Sequence, residues 1–176
     1  IINAAGITIR RGIDFDISKT IIMNAALPHF LNQWVIKYQK RLIHFSTDCV
    51  FSGKDGNYSE ISIPDSIDIY GRTKTLGEIN SHNSLTIRSS MIGRELENKT
   101  ELFEWFLSQN NNKIKGYTNV IYSGITTNRM AQFILDIINL FPNMHGLFNI
   151  SSFSISKYEL LKIFNNKFEN NVIIEP

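Results

Sequence analysis

The sequence predicts an α/β fold with a mostly parallel sheet, and three observations carry that prediction. Short β-branched apolar runs alternate with stretches of helical periodicity, the pattern of successive strand–helix–strand units. With 43% hydrophobic and 11% aromatic residues among 176, the chain holds enough apolar material for a sizeable core. A polar stretch from Thr47 to Ile69 directly follows a strand-like run and is too long for a simple connection; long loops in that position usually carry function.

The elements follow in order. A first strand ends at Asn3. From Asp16 to Tyr38, apolar residues at Ile17, Ile21, Ile22, Ala25, Leu31, Val35 and Tyr38 repeat at helical spacing, and Pro28 predicts a kink because it has no N–H to donate. Arg41 to Ser46 reads as the next strand. A helix is expected from about Tyr70 to Ser81, a strand from Leu85 to Ser90, and an amphipathic helix from Glu101 to Gln109 capped by Thr100. The run Asn110-Asn111-Asn112 marks a loop. Val120 to Ile125 reads as a strand, Asn128 to Phe141 as a helix started by Thr126 or Thr127, and Gly146 to Ile150 as a short strand after the Pro142 turn. Ser156-Lys157-Tyr158-Glu159 is a capping box opening a last helix to about Phe168. The first residues read as part of a strand and so do Val172 to Ile174, which suggests a piece of a longer protein.

Composition excludes several classes of function. Eighteen basic and sixteen acidic residues are scattered along the chain, leaving no basic stripe for nucleic acid or a lipid surface. One cysteine, Cys49, rules out an internal disulfide framework, and four scattered histidines offer no metal-ligand spacing. No apolar run approaches membrane-spanning length and no signal peptide is visible, so the expectation is a cytoplasmic protein without membrane, nucleic-acid or metal partners.

The chemistry concentrates between Ile43 and Glu78. Ser46-Thr47-Asp48 stands at the carboxyl end of a strand, where parallel α/β sheets bind ligands. Downstream comes Tyr70-Gly71-Arg72-Thr73-Lys74. A phenol of ordinary pKa about 10 can act as an acid near neutral pH only beside a cation, and a lysine four residues on lies one helical turn away on the same face. Tyr158 and Lys162 share this spacing, but they open an amphipathic helix, where core packing with a snorkelling lysine is the simpler account. Tyr70 alone follows a strand-end hydroxyl. Thr47 and Tyr70 converging on one carbonyl oxygen would polarise it and deliver a proton as hydride arrives from a cofactor.

Plainer roles compete at each position. Thr47 could simply cap a turn, and Asp48 could bond within its loop rather than touch a substrate. Cys49 reads as a small buried hydrophobe, since no cation or histidine is placed to activate it. His44 reads as structural, Trp105 and Phe106 as core, and Arg94 and Lys115 as solvated charges.

The combined segments Ser46-Thr47-Asp48-Cys49-Val50-Phe51-Ser52-Gly53 and Tyr70-Gly71-Arg72-Thr73-Lys74-Thr75-Leu76-Gly77-Glu78 resemble the extended short-chain dehydrogenase/reductases, in particular their dTDP-4-dehydrorhamnose reductase branch. Asn3-Ala4-Ala5-Gly6 resembles that family's turn after the fourth strand, where small residues admit the cofactor. Asn24-Ala25-Ala26-Leu27-Pro28 and Leu85-Thr86-Ile87-Arg88-Ser89-Ser90 resemble the next helix and the strand after the catalytic helix. The likeness is strong to about Gly93 and thinner beyond, and Met91 stands where the branch commonly has Trp.

The resemblance implies a partial Rossmann-like parallel sheet lacking its N-terminal glycine-turn half, with a small C-terminal substrate-binding lobe. Residues 1–92 would belong to the NAD(P)-binding part, to which 126–150 returns; 93–125 and 151–176 would form the lobe. It implies Tyr70 as proton donor, Lys74 as the cation that lowers its pKa and holds the nicotinamide ribose, Thr47 on the carbonyl, and Asn24 ordering a proton relay. Asn3, Ala4, Ala5, Gly6 and Ser46 would join Tyr70 and Lys74 around NADP or NAD. Thr47, Asp48, Val50, Phe51, Ser90 and Met91 would meet a nucleotide-diphosphate sugar, and a homodimer is compatible with the likeness. No GxxGxxG turn for the pyrophosphate occurs in the sequence, so about 60 to 70 residues, two βαβ units, are expected before Ile1. The leading expectation is reduction of a nucleotide-activated 4-keto-6-deoxy sugar for polysaccharide precursor synthesis. The alternatives are an epimerase or dehydratase of the same superfamily, or a non-catalytic nucleotide-binding relative or inactive fragment.

Overall fold

The computed structural model describes residues 1–8, 16–97 and 99–176. They form two compact units, Ile1–Ser90 with Ala131–Ile150, and Met91–Met130 with Ser151–Pro176. Among the described residues no helix is long and apolar enough to cross a membrane.

The first unit is built on four parallel strands in the order β1 (Ile2–Asn3), β2 (Leu42–Phe45), β3 (Ser84–Arg88) and β8 (Gly146–Asn149). The α/β class with a parallel sheet is therefore as read from the sequence. Leu42, Ile43, Leu85 and Ile87 are buried in the central strands, as expected where parallel strands are covered on both faces. The helical repeat from Asp16 to Tyr38 forms α1 (Ile17–Ile21) and α2 (Leu27–Lys37), with Asp16 capping α1 through a bond from the Lys19 N–H at 3.0 Å.

The kink expected at Pro28 takes another form. Ile22–Ala26, between α1 and α2, is π-helical, with the Leu27 N–H bonded to the Ile22 carbonyl. Pro28 cannot donate to the carbonyl of Asn24, and a π turn is one way a helix absorbs such a fault. The Asn24 carbonyl lies instead against Gly77, at a position where a side chain on residue 77 would collide with it.

Other boundaries differ from the sequence expectation for local reasons. Helix α3 (Ile69–Leu76) ends at Leu76 rather than Ser81, because the Gly77 N–H closes it onto the Thr73 and Lys74 carbonyls. Thr100 does not cap the following helix: α4 (Leu102–Leu107) has Glu101 at its N-cap, and the Glu101 N–H is held by the Glu95 carboxylate at 2.7 Å. Val120–Ile125 is not one strand but parts of β6 (Ile121–Tyr122) and β7 (Ile125–Thr126). Thr126 starts α5 (Thr127–Leu140) by accepting the Arg129 N–H.

In the second unit β4 (Met91–Ile92) pairs with β7, β5 (Lys113–Lys115) with β10 (Ile173–Glu175), and β6 with β9 (Ile155–Ser156). Its core joins Phe103, Phe106 and Ile114 to Leu161 and Phe164 of α6 (Lys157–Lys167), which the Ser156–Glu159 capping box opens as expected. Trp105 and Leu102 pack against this cluster. Tyr158 lies against Gly116, and Lys162 lies over its ring, so this pair has the packing role anticipated for it.

His44 in β2 is fully buried, and its Nδ1 accepts from Asn3 Nδ2 at 3.1 Å. Burial first, then the Lys74 charge, push its pKa down to about 3, against an opposing hydrogen bond to the Asn3 backbone. The unfolded chain titrates at the ordinary value of about 6.5, so between 6.5 and 3 it binds a proton that the folded chain refuses. Stability present above 6.5 is thus lost as pH falls toward 3. We expect His44→Gln to flatten this acid limb in urea unfolding curves between pH 7 and 4; equal slopes in the two proteins would contradict the assignment. For Gly77→Ala we expect a loss of about 1–3 kcal/mol in the same assay, the usual cost of overpacking.

Candidate active site

The carboxyl ends of β1 and β2, the first turns of α3 and the π turn before α2 supply most of the residues singled out in the sequence. Asp68 fixes the start of α3 by accepting the Gly71 N–H at 2.8 Å. Gly71 lets the helix approach closely, since a Cβ there would collide with the Cys49 carbonyl and Ser66. Tyr70, half-buried, and Lys74 then stand one turn apart on α3.

Lys74 is only 4% exposed, and its Nζ donates to the Phe45 carbonyl at 2.6 Å. Burial lowers its pKa to about 8, partly offset by the Glu78 carboxylate. The ammonium is thereby held at the end of β2 with protons still to give. A Cβ on Gly6 would lie 3.8 Å from Lys74 Nζ and 3.3 Å from Asn24 Oδ1. The bare backbone of Gly6, the amide of Asn24 and the ammonium of Lys74 therefore meet at one place, next to the exposed Ala4 and Ala5.

Asn24 is fully buried. Its Oδ1 accepts the Ile7 N–H at 2.8 Å, while Nδ2 donates to the Ile7 carbonyl at 2.9 Å and Thr73 Oγ1 at 3.2 Å. The side chain thus clamps the segment after β1 to α3. Asn3 holds the same segment, its Oδ1 accepting from the Ala5 N–H at 3.2 Å. Thr47 is buried; its Oγ1 accepts the Cys49 N–H and donates to Asp48 Oδ1, both at 3.2 Å. The turn-capping role is what the hydroxyl performs here, with Asp48 as its acceptor.

The expected burial of Cys49 needs correcting, and Val50 and Ser46 have surroundings that the sequence does not report. Val50 is completely buried, so its side chain has no surface to offer a sugar nucleotide. Ser46 is buried, and its hydroxyl donates to Glu78 Oε1 at 2.7 Å. Cys49 is exposed rather than buried, although its thiol is still pushed up to about 11, first by desolvation and then by Asp48. Phe51 is half-buried and stacks on Tyr58, with ring centroids 4.2 Å apart and planes at 2°. Ser90 closes the first unit, whereas exposed Met91 begins the second. Among the described residues no cluster of His, Cys, Asp and Glu could hold a metal ion.

The sequence reading missed the ion pair beneath this site. Glu78 accepts from Arg88 Nε and Nη2, each at 2.6 Å, and both side chains are under one-tenth exposed. A signal was present: an arginine ending a strand that carries Leu85 and Ile87 is placed to be buried, and a buried guanidinium needs a carboxylate.

A family model described as the RmlD substrate binding domain matches residues 1–168. Over 79 residues the chain is 34% identical to a dTDP-4-dehydrorhamnose reductase of Aggregatibacter actinomycetemcomitans, covering 44% of this chain and 27% of that protein. The fold matches the crystal structure of a hypothetical dTDP-4-dehydrorhamnose reductase from Sulfolobus tokodaii with a TM-score of 0.83 and 26% identity, over 99% of this chain and 63% of that one. It also matches the Bacillus anthracis dTDP-4-dehydrorhamnose reductase in complex with NADP, with a TM-score of 0.82 and 21% identity, over 99% of this chain and 64% of that one. The chain thus spans less than two thirds of the length of these relatives.

Lys74 provides a direct measurement on this geometry. Titration followed by NMR of its side-chain signals should give a midpoint near 8. In Glu78→Gln the midpoint should fall further, because the carboxylate that favours the ammonium is gone. An ordinary lysine value near 10.4 would show that Nζ is not buried as described.

Proposed function

The chain belongs to the RmlD substrate binding domain family, and from that premise we propose that it carries the proton-transfer half of an NAD(P)H-dependent reductase acting on a nucleotide-activated 4-keto-6-deoxy sugar. The observation that carries the reading is the burial of the Lys74 ammonium at the end of β2, one turn from Tyr70 and beside the bare backbone of Gly6.

These residues fit a nicotinamide nucleotide. Lys74 Nζ has donors left for ribose hydroxyls after bonding to Phe45, and Ala4, Ala5 and Gly6 leave an open backbone surface beside it. When bound, the cofactor supplies a hydride to the carbonyl carbon of the sugar. Tyr70 gives its phenolic proton to the carbonyl oxygen, and the Lys74 charge stabilises the phenolate that remains. Thr47 donates to the same oxygen by exchanging Asp48 Oδ1 for it, the hydroxyl being already placed at the strand end. Asn24 keeps the segment after β1 and the middle of α3 in register, so that the cation stays where the proton is lost. In this reading the first unit serves the cofactor and the reacting carbonyl, Asp48 and Phe51 face the substrate, and the second unit is the substrate lobe.

The test uses the protein expressed from its complete reading frame. It should oxidise NADPH or NADH when given a nucleotide-linked 4-keto-6-deoxy sugar, and Tyr70→Phe should lose about 10²–10⁴ in rate. Wild-type turnover in that variant would remove Tyr70 as the acid.

A further inference from the structure

We propose that Arg88 is a positioning residue for the Tyr70/Lys74 site, coupling the C-terminal end of α3 to the loop that carries Phe51 and Tyr58. The inference rests on the reading of that site given above.

Both halves of the coupling meet on one guanidinium. Its Nε and Nη2 hold the two oxygens of Glu78, at 2.6 Å each, two residues beyond the last turn of α3. Ser46 Oγ, at the end of β2, donates to the same carboxylate at 2.7 Å, so strand end and helix end share one anchor. The guanidinium carbon Cζ lies over the Phe51 ring, 5.0 Å from its centre. Phe51 in turn stacks on Tyr58, whose carbonyl accepts from Asn149 Nδ2 at 3.2 Å. Arg88 also helps keep Glu60 ionised, although the first cause there is the bond from the Asn149 N–H.

Stability alone does not account for this arrangement. A buried ion pair is often no more stable than apolar residues of similar volume. Here Arg88 Nη1 is in addition buried without a hydrogen-bond partner among the described residues, an uncompensated cost. What the guanidinium offers and an apolar pair cannot is a planar fork for Glu78 together with a cationic face for an aromatic ring. The helix that holds Tyr70 and Lys74 and the loop proposed to meet the sugar are thereby indexed to one side chain.

Arg88→Met alone strands the Glu78 charge and could fail to fold, so the decisive variant is the double R88M/E78Q, which removes both charges. It should melt close to the wild type while the Tyr58 ring protons, shifted upfield by the stacked Phe51, move to the values of a free tyrosine. In the protein from its complete reading frame, kcat should fall about tenfold or more, because the end of α3 loses its anchor and Lys74 the carboxylate that favours its charge, and KM for the nucleotide sugar should rise about tenfold as the loop loses its contact. Arg88→Lys, which keeps the charge without the fork, should recover part of the KM. A folded R88M/E78Q with wild-type Tyr58 shifts, or with unchanged kcat or KM, would overturn the proposal. If the wild type turns over no nucleotide sugar, the reading of the site fails, while the Tyr58 shifts still decide whether Arg88 couples helix and loop.

Discussion

The first unit depends on how closely α3 can approach its neighbours. Two glycines set that distance: at Gly71 the helix lies against the Cys49 carbonyl, and at Gly77 its end lies against the Asn24 carbonyl. Neither position has room for a Cβ, so helix, loop and the π turn are in backbone contact at two points six residues apart. Lys74 falls between those points. Its burial, its bond to Phe45 and its lowered pKa follow from a helix that cannot stand further off.

That closeness has an electrostatic side. A lysine brought this near to the strand ends loses most of its water, and its ammonium form becomes harder to maintain. Three features moderate the cost: the Phe45 carbonyl bonds the charge, Glu78 lies close enough to favour it, and His44 stays neutral nearby rather than adding a second cation. Glu78 is itself held by Arg88 and Ser46, so the charge balance at the site reaches to the far end of the helix.

Much of this was legible in the sequence, and the pattern of misses is physical. Strand–helix alternation pointed to the α/β class, and the spacing of Tyr70 and Lys74 to their place one turn apart on α3, because element type and spacing within a helix are set by residues close in sequence. The Ser156–Glu159 box was legible for the same reason. The end of α3 differs from the expectation because the Gly77 N–H closes the helix onto the Thr73 and Lys74 carbonyls, which periodicity does not report. Neither the bond from Ser46 to Glu78 nor the burial of Val50 can be read from neighbouring residues. The Glu78–Arg88 pair joins residues ten apart through a turn and a strand, and only the placing of an arginine at the end of a strand with Leu85 and Ile87 hinted at it.

The π turn at Ile22–Ala26 amounts to one residue more than a regular helix would need. In an α-helix each residue advances the direction of the side chains by about 100°, so the surplus residue acts as a phase shift between α1 and α2. It lets the amide of Asn24 turn toward Ile7 and Thr73 while the flanking helices each keep their own inward faces, Thr20 on one side and Val35 on the other. A chain shortened by a single residue here would still be helical throughout. It would, however, have to choose between a packed helix and an inward-facing asparagine, so a gap at this point between aligned sequences would mark the loss of the clamp rather than neutral drift in length.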